Sequence, residues 1–264
     1  MELTSENYFS QEASAKYLSV SQYKSFLNCE ARTLAGIKGE YVQKKSKDAL
    51  LFGSLLHSWN EINVAFVQFQ SDHPELYCKT GKNKGQLKSN FKDVYKLIES
   101  IQDDDLFTKA LAGQKEIIFT ANMFGVDWKI CIDSYNPDAG YITDLKAMAN
   151  ITDTYWSSEY EKRIDFIHHY KYDLQMVVYS EIERLANNRK DNLVPYLAVA
   201  TKQDPPDKAI YKGFLYYKDV LLQEVSENIP RIIDLKAGLQ EPKMCNTCDY
   251  CRSIKKTQII EYRR

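Results

Sequence analysis

Two aspartates and a lysine are the residues of this chain with the clearest chemical meaning. The segment WKICIDSYN puts Asp133 at the end of one β-type run, 128–133, and YITDLKA puts Asp144 and Lys146 near the end of another, 141–146. Side chains alternate across a strand, so Asp144 and Lys146 share a face while Leu145 points into the sheet. Two adjacent strands ending in carboxylates, with an ammonium two residues past the second, make a small oxygen-donor site for a hard cation. Mg²⁺ prefers such ligands, keeps several waters and is completed by a substrate phosphate. A cation held there polarises a phosphoryl oxygen and lowers the pKa of a water. Lys146 is placed to orient that water and to offset charge building on phosphorus. The chemistry expected of this pattern is metal-assisted phosphodiester hydrolysis. Asp-x-Lys is short and common, however, and a solvent-facing hairpin would carry it equally well.

Three other segments decide in favour of the chemistry. LLFGSLLHSWNE, 50–61, has helical spacing and sets His57 and Glu61 at i and i+4 on one face. YKYDLQMVVYSEIERL, 170–185, reads as a second helix with Gln175 and Tyr179 at the same spacing. Glu116 lies in KEIIFT, just ahead of the acidic strands. Each has a plainer reading. His57 suits a helix core, Glu61 a solvated face, Glu116 the start of a strand, Gln175 a groove, and Tyr179 a core position with its hydroxyl at the rim. Their order along the chain (helix with His, strand with Glu, strand with Asp, strand with Asp-x-Lys, helix with Gln-x-x-x-Tyr) favours a shared site, with Glu116 and Glu61 as additional candidates.

In this combination the chain resembles the PD-(D/E)XK nuclease superfamily, in its RecB-like branch, and is most similar to phage and prophage exonucleases of the RecE (exonuclease VIII) type. The resemblance runs from SVSQY, 19–23, to Cys251. It implies an α/β fold of the restriction-endonuclease type, a central mixed sheet flanked by helices. It implies His57, Asp133 and Asp144 as metal ligands, with the Leu145 carbonyl as a further one. Lys146 becomes the catalytic lysine, and Gln175 and Tyr179 the pair that supports the site and contacts DNA. Asp144 stands where many relatives have Glu, and Ile132 rather than proline precedes Asp133; RecB-like nucleases commonly show both features. The resemblance further implies Mg²⁺, with Mn²⁺ as a substitute, and 5′-to-3′ resection of linear double-stranded DNA ends during phage-type recombination. It implies a single-strand annealing protein as partner, and a homo-oligomer enclosing DNA. A structure-specific or repair endonuclease and a catalytically silent DNA-binding module are the competing readings; the full set of His57, Asp133, Asp144 and Lys146 speaks against the silent one.

Six cysteines raise a separate question. Cys245, Cys248 and Cys251 form CNTCDYC, two successive C-x-x-C steps that suit a metal better than disulfides. Three thiolates need a fourth ligand to close a site, and Cys29 in SQYKSFLNCEA is the candidate. RecB-like relatives such as AddB and the CRISPR-associated nucleases use one early cysteine and a late trio for a four-iron four-sulphur cluster. The resemblance implies the same centre here, although the last spacing is shorter than in those relatives. Zn²⁺ on the same ligands is the alternative, and free thiols the plainest reading. Cys78 and Cys131 read as incidental, Cys131 packing as a small apolar residue.

The 264 residues, with no Gly/Ser- or Pro-rich linker, read as one nuclease domain. Within 1–264, a helical N-terminal section is expected to about 110, a catalytic core over about 111–217, and a C-terminal helix with the cysteine cluster over 218–264. An apolar content of 44% is enough for a sizeable core. No run reaches the ~18–20 apolar residues of a membrane span, and the polar start MELTSENYFS is unlike a secretory or transit signal, so a cytoplasmic protein with no membrane partner is expected. A net charge of −1 excludes a generally basic nucleic-acid coat. Charge is instead local. Lys79, Lys82, Lys84, Lys88 and Lys92 form a glycine-punctuated loop expected to be mobile and to contact DNA phosphates. Arg252, Lys255, Lys256, Arg263 and Arg264 form a second basic group. The long connection 147–169, with Trp156 and His168-His169, is expected to approach substrate. Strands are expected at 115–120, 126–133, 141–146, 195–201 and 208–217, and a last helix, 218–239, interrupted or kinked at Pro230.

Overall fold

The computed structural model describes residues 1–42, 47–257, 259 and 261; Arg263 and Arg264 of the second basic group lie outside them. The N-terminal section is helical: α1 (Gln11–Lys16), α2 (Val20–Asn28), α3 (Glu30–Ile37), α4 (Lys47–Glu61), α5 (Asn63–Asp72), α6 (Ser89–Gln102) and α7 (Asp105–Ala110). The strands β1 (Gln114–Met123), β2 (Val126–Asn136) and β3 (Tyr141–Met148) follow, then β4 (Thr154–Ser157) and β5 (Lys162–Asp165). After α8 (Phe166–His169) and α9 (Tyr172–Ala186) come β6 (Val194–Thr201), β7 (Lys208–Tyr211), α10 (Lys218–Lys236) and α11 (Asp249–Ile254).

Local chemistry sets the boundaries. Ser10, Ser19 and Asp104 cap α1, α2 and α7 by accepting hydrogen bonds from first-turn amides. In α6 the buried residues are Phe91, Val94, Leu97, Ile98 and Ile101, the spacing of one helical face. β3 and β6 sit inside the sheet and read as nearly continuous buried runs, as expected where both faces are covered.

Five strands form one mixed sheet in the order β1-β2-β3-β6-β7. Only the β3–β6 pair is parallel, Asp144 lying opposite Leu197 and Lys146 opposite Val199, and the α8–α9 crossover joins them. Alternation along β6 separates two layers. Leu197 and Val199 pack with Met176 and Val177 of α9, while Ala198 and Ala200 join Leu55, Phe91 and Leu97 of α4 and α6. Leu145 belongs to the second layer, so Asp144 and Lys146 look toward α9. At the other end Trp128, wholly buried, packs with Tyr23 of α2 and with residues of α9 and α10. The Leu18 backbone clips onto β2 through Asp127 and Lys129, fixing α2 beside the sheet.

The structure refines three expectations. The connection 147–169 carries the β4–β5 hairpin and α8. The run expected to be a strand over 208–217 ends at Tyr211 and turns into a 3₁₀ segment, Phe214–Tyr217, after left-handed Gly213. α10 is not interrupted at Pro230, its buried Val225, Ile229, Ile232 and Leu235 holding the stripe across the proline.

Candidate active site

β2 and β3 pair at three positions only: Asn136 with Tyr141, Tyr135 with Ile142 and Ser134 with Thr143. Beyond them β2 stays with β1 and β3 with β6, so the strands part at Asp133 and Asp144. Backbone groups freed by such a split must find other partners. Asp133 Oδ2 accepts from the Leu145 amide at 2.7 Å, and Asn60 of α4 donates to the Asp133 carbonyl at 3.2 Å and to Ser134 Oγ at 3.3 Å. Lys115 ties the same Asn60 and Ser134 together at 2.9 and 3.0 Å. Side chains thus complete the ladder where the backbones diverge, leaving both carboxylates in the gap.

Six predicted residues converge there. His57 Nδ1 lies 3.3 Å from Asp133 Oδ1. Lys146 forms an ion pair with Asp144 Oδ2, and Gln175 Nε2 donates to Asp144 Oδ1 at 2.8 Å. Glu116 faces Asp133 from β1, between the paired positions Lys115–Ser134 and Ile117–Ile132. Its donor oxygen, with those of His57 and Asp133, falls in a set spanning no more than 4.8 Å. Glu116 holds φ at +52°, a left-handed conformation uncommon for a residue with a Cβ. One carboxylate oxygen accepts from Cys131 Sγ at 3.3 Å, and the other is buried with no hydrogen-bond partner among the described residues. Cys131 is therefore a neighbour of the site rather than simple apolar filling.

These groups line one open cavity of about 500 Å³, with Tyr179, Glu61, Tyr8, Ser54 and Phe69 on its walls. Leu145 keeps its side chain in the core, and its carbonyl lies 3.5 Å from Lys146 Nζ. Lys79, Lys82 and Lys84 are exposed and Lys88 is half-buried; none of the four lines this cavity. Their segment is folded back on itself by a bridge between Tyr77 and Leu87 and by backbone bonds between Cys78, Gly85 and Gln86. Trp156 and the two histidines of 147–169 lie outside the cavity walls, His169 stacked on Tyr155.

Charge in the cavity is unbalanced toward the negative. Burial, then the Asp133 charge, pushes Glu116 up to about 7. Burial also raises Asp144, outweighing Lys146 beside it. Burial opposes ionisation of Asp133 too, but His57, Lys146 and the Leu145 amide hold it below the usual carboxylate range. Burial disfavours the Lys146 ammonium, yet Asp144 and Asp133 keep it charged well above its ordinary value.

Sequence reasoning missed Lys24. From α2 its Nζ donates to Gln175 Oε1 at 3.1 Å and sits 5.2 Å from the Tyr172 ring centroid. Burial, then the Lys146 charge, lowers it to about 7. Asn60 was missed as well, because a polar residue late in a helix signals a solvated end, not the partner of a split sheet.

The cysteines form a second cluster. Sγ atoms of Cys29 and Cys251 are 3.5 Å apart, those of Cys245 and Cys251 3.9 Å, and those of Cys248 and Cys29 3.9 Å. Cys78 is not part of the cluster.

A mixed sheet whose antiparallel strands part over an Asp and an Asp-x-Lys, with helices supplying His and Gln, defines the PD-(D/E)XK nuclease class. Residues 19–254 match the PDDEXK-like domain of unknown function (DUF3799), and the chain belongs to that family. The crystal structure of a protein from Eubacterium rectale, described as a "putative exonuclease", is 40% identical over 99% of this chain and 97% of that one, with a TM-score of 0.90. A second solved structure, SSO0001, covers 84% of this chain and 92% of its own at 14% identity; its TM-score of 0.27 is too low to bear on the argument. No curated protein sequence matches the chain. Among the described residues no helix is long and apolar enough to cross a membrane.

Proposed function

We propose that the protein is a divalent-metal-dependent deoxyribonuclease that degrades linear duplex DNA from its ends, with residues 1–264 acting as one nuclease domain. The observation that carries this reading is the single cavity in which Glu116, Asp133 and Asp144 face Lys146. The donors suit a hard divalent cation: the Glu116 and Asp133 carboxylates converge with the His57 imidazole, Asp144 lines the same cavity, and a buried Glu116 oxygen has no hydrogen-bond partner among the described residues. Asp133, Asp144, Glu116 and His57, with the Leu145 carbonyl, would hold Mg²⁺ or Mn²⁺. Bound there, such a cation supplies Lewis-acid polarisation of a phosphoryl oxygen and a water acidic enough to ionise near neutral pH.

The chain's own groups supply the rest. Lys146, kept protonated by Asp144 and Asp133, presents a positive charge to a phosphate and a donor to the attacking water. Gln175 fixes the Asp144 carboxylate, Lys24 fixes Gln175, and the Leu145 amide fixes Asp133. Tyr179 offers an aromatic wall to the substrate. The description of the Eubacterium rectale neighbour supports attack at ends. The RecE resemblance adds 5′-to-3′ polarity, a single-strand annealing partner and an oligomer around DNA.

The test is cleavage of a linear duplex labelled at its 5′ ends, beside a covalently closed circle, with Mg²⁺ and with chelator. Metal-dependent loss of the linear DNA alone, with label released first and abolished in Lys146→Ala, is the expected result. Cutting of the circle would replace the exonuclease with an endonuclease, and cleavage indifferent to Lys146 would remove this site from the reaction.

A further inference from the structure

We infer that Cys29, Cys245, Cys248 and Cys251 enclose one tetrahedral zinc-class ion and not the four-iron four-sulphur cluster that the resemblance implied. The geometry of the four sulphurs decides between them. A single ion with metal–sulphur bonds of about 2.3 Å places tetrahedral ligands about 3.8 Å apart. The Sγ separations are 3.5, 3.9 and 3.9 Å, and all four atoms lie within 4.8 Å of one another. A cubane cluster sets an iron at each of four corners, and each thiolate outside its own corner, so its sulphurs stand further apart than the irons themselves. The space among these four thiols is that of one ion.

The backbone around the cluster agrees. The Arg32, Cys248 and Cys251 amides donate to Sγ of Cys29, Cys245 and Cys248 at 3.5, 3.3 and 3.4 Å, and the Thr247 hydroxyl donates to Cys245 at 3.5 Å. Such bonds favour thiolate, the ligating form, and fix three of the four ligands, Cys29, Cys245 and Cys248, before the ion arrives. Four protein ligands leave no open position, which marks a structural site rather than a catalytic one. Among all-thiolate tetrahedral sites zinc is favoured over a lone ferrous ion by its place in the affinity order and by its redox inertness. The ion would join α3 to the segment before and within α11, residues 222 positions apart in the chain. It would do so independently of the catalytic cavity, none of whose walls contains these cysteines.

The full chain, purified without oxygen, should contain about one zinc per molecule, negligible iron and acid-labile sulphide, and no visible absorption. Exchange with Co²⁺ should produce the strong d–d bands of a tetrahedral thiolate site. Cys248→Ser should lose the ion and melt lower, Cys78→Ser should keep it, and Lys146→Ala should keep it while losing cleavage. That last pair separates this inference from the nuclease reading. Iron with stoichiometric sulphide would overturn the proposal, as would a single iron. A chain that retains no metal and whose Tm does not rise on adding Zn²⁺ would overturn it too.

Discussion

Gln175 stands between two charges, donating to Asp144 and accepting from Lys24 at 2.8 and 3.1 Å. A group that orients a ligand without supplying one typically costs 10–100-fold in metal affinity or activity when removed. Gln175→Ala should therefore raise the Mg²⁺ needed for half-maximal cleavage by about tenfold or more, and Lys24→Ala should follow in the same direction by a smaller factor. Lys146→Ala should instead lower the rate by about 10²-fold or more at every Mg²⁺ concentration. A Gln175→Ala protein whose Mg²⁺ titration overlays the parent's would refute the positioning role. Glu116 invites the opposite kind of test. Its left-handed backbone and unpartnered buried oxygen each carry a cost, and strain of this sort is of order 1–3 kcal/mol. Glu116→Gly removes both and should raise Tm while reducing activity; a lower Tm would show that the carboxylate stabilises the fold. Residue types and spacing made Asp133, Asp144, Lys146, His57 and Gln175 legible as one group. They could not show the strain at Glu116 or the inward turn of Lys24, whose neighbours Tyr23 and Phe26 gave only the apolar stripe of a helix.

At the scale of elements, periodicity made the helices carrying His57 and Gln175 and the β1–β2–β3 meander readable, whereas the parting of β2 from β3 was not. That parting depends on Asn60, 73 residues from the carbonyl it completes. Pro230 does not interrupt α10 for a related reason: burial of the stripe on either side of it outweighs the lost hydrogen bond. α9 carries the joint that holds the layers around the site. Glu181 receives Arg184 at 2.7 and 2.9 Å, Lys218 of α10 at 2.7 Å and Asn192 at 3.1 Å. Burial opposes its charge, but these bonds outweigh burial and lower it from 4.5 to about 2. A depressed carboxylate contributes stability that is present above the ordinary value and is lost as pH falls through the folded one. Glu181→Gln should cost about 2 kcal/mol at pH 7, allowing for screening at the partly exposed Arg184 and Lys218. The Tm gap to the parent should then close between about pH 5 and pH 2. A gap that does not change with pH would mean that packing, not charge, is what the substitution removes.

For the molecule as a whole, a net charge of −1 means that duplex DNA, itself densely negative, gains nothing from long-range attraction to the average surface. Affinity must come from local cations, and Lys79, Lys82 and Lys84 are exposed on a turn-rich segment clipped at its base by Tyr77 and Leu87. None of the three borders the candidate active-site cavity, so they can contribute to holding the duplex without touching the proposed reacting bond. Each phosphate contact releases condensed counterions and adds about 0.9 to the slope of log K against log salt for duplex DNA. Replacing all three lysines by glutamine should weaken binding to DNA of any sequence and flatten that slope by up to about 2.7. Single-turnover cleavage at saturating DNA should remain within about twofold of the parent, since the loss falls on binding and not on the transition state. An unchanged slope with unchanged affinity would assign these lysines to a solvated face and move the search for DNA contacts to Arg252, Lys255 and Lys256 beyond the cysteine cluster.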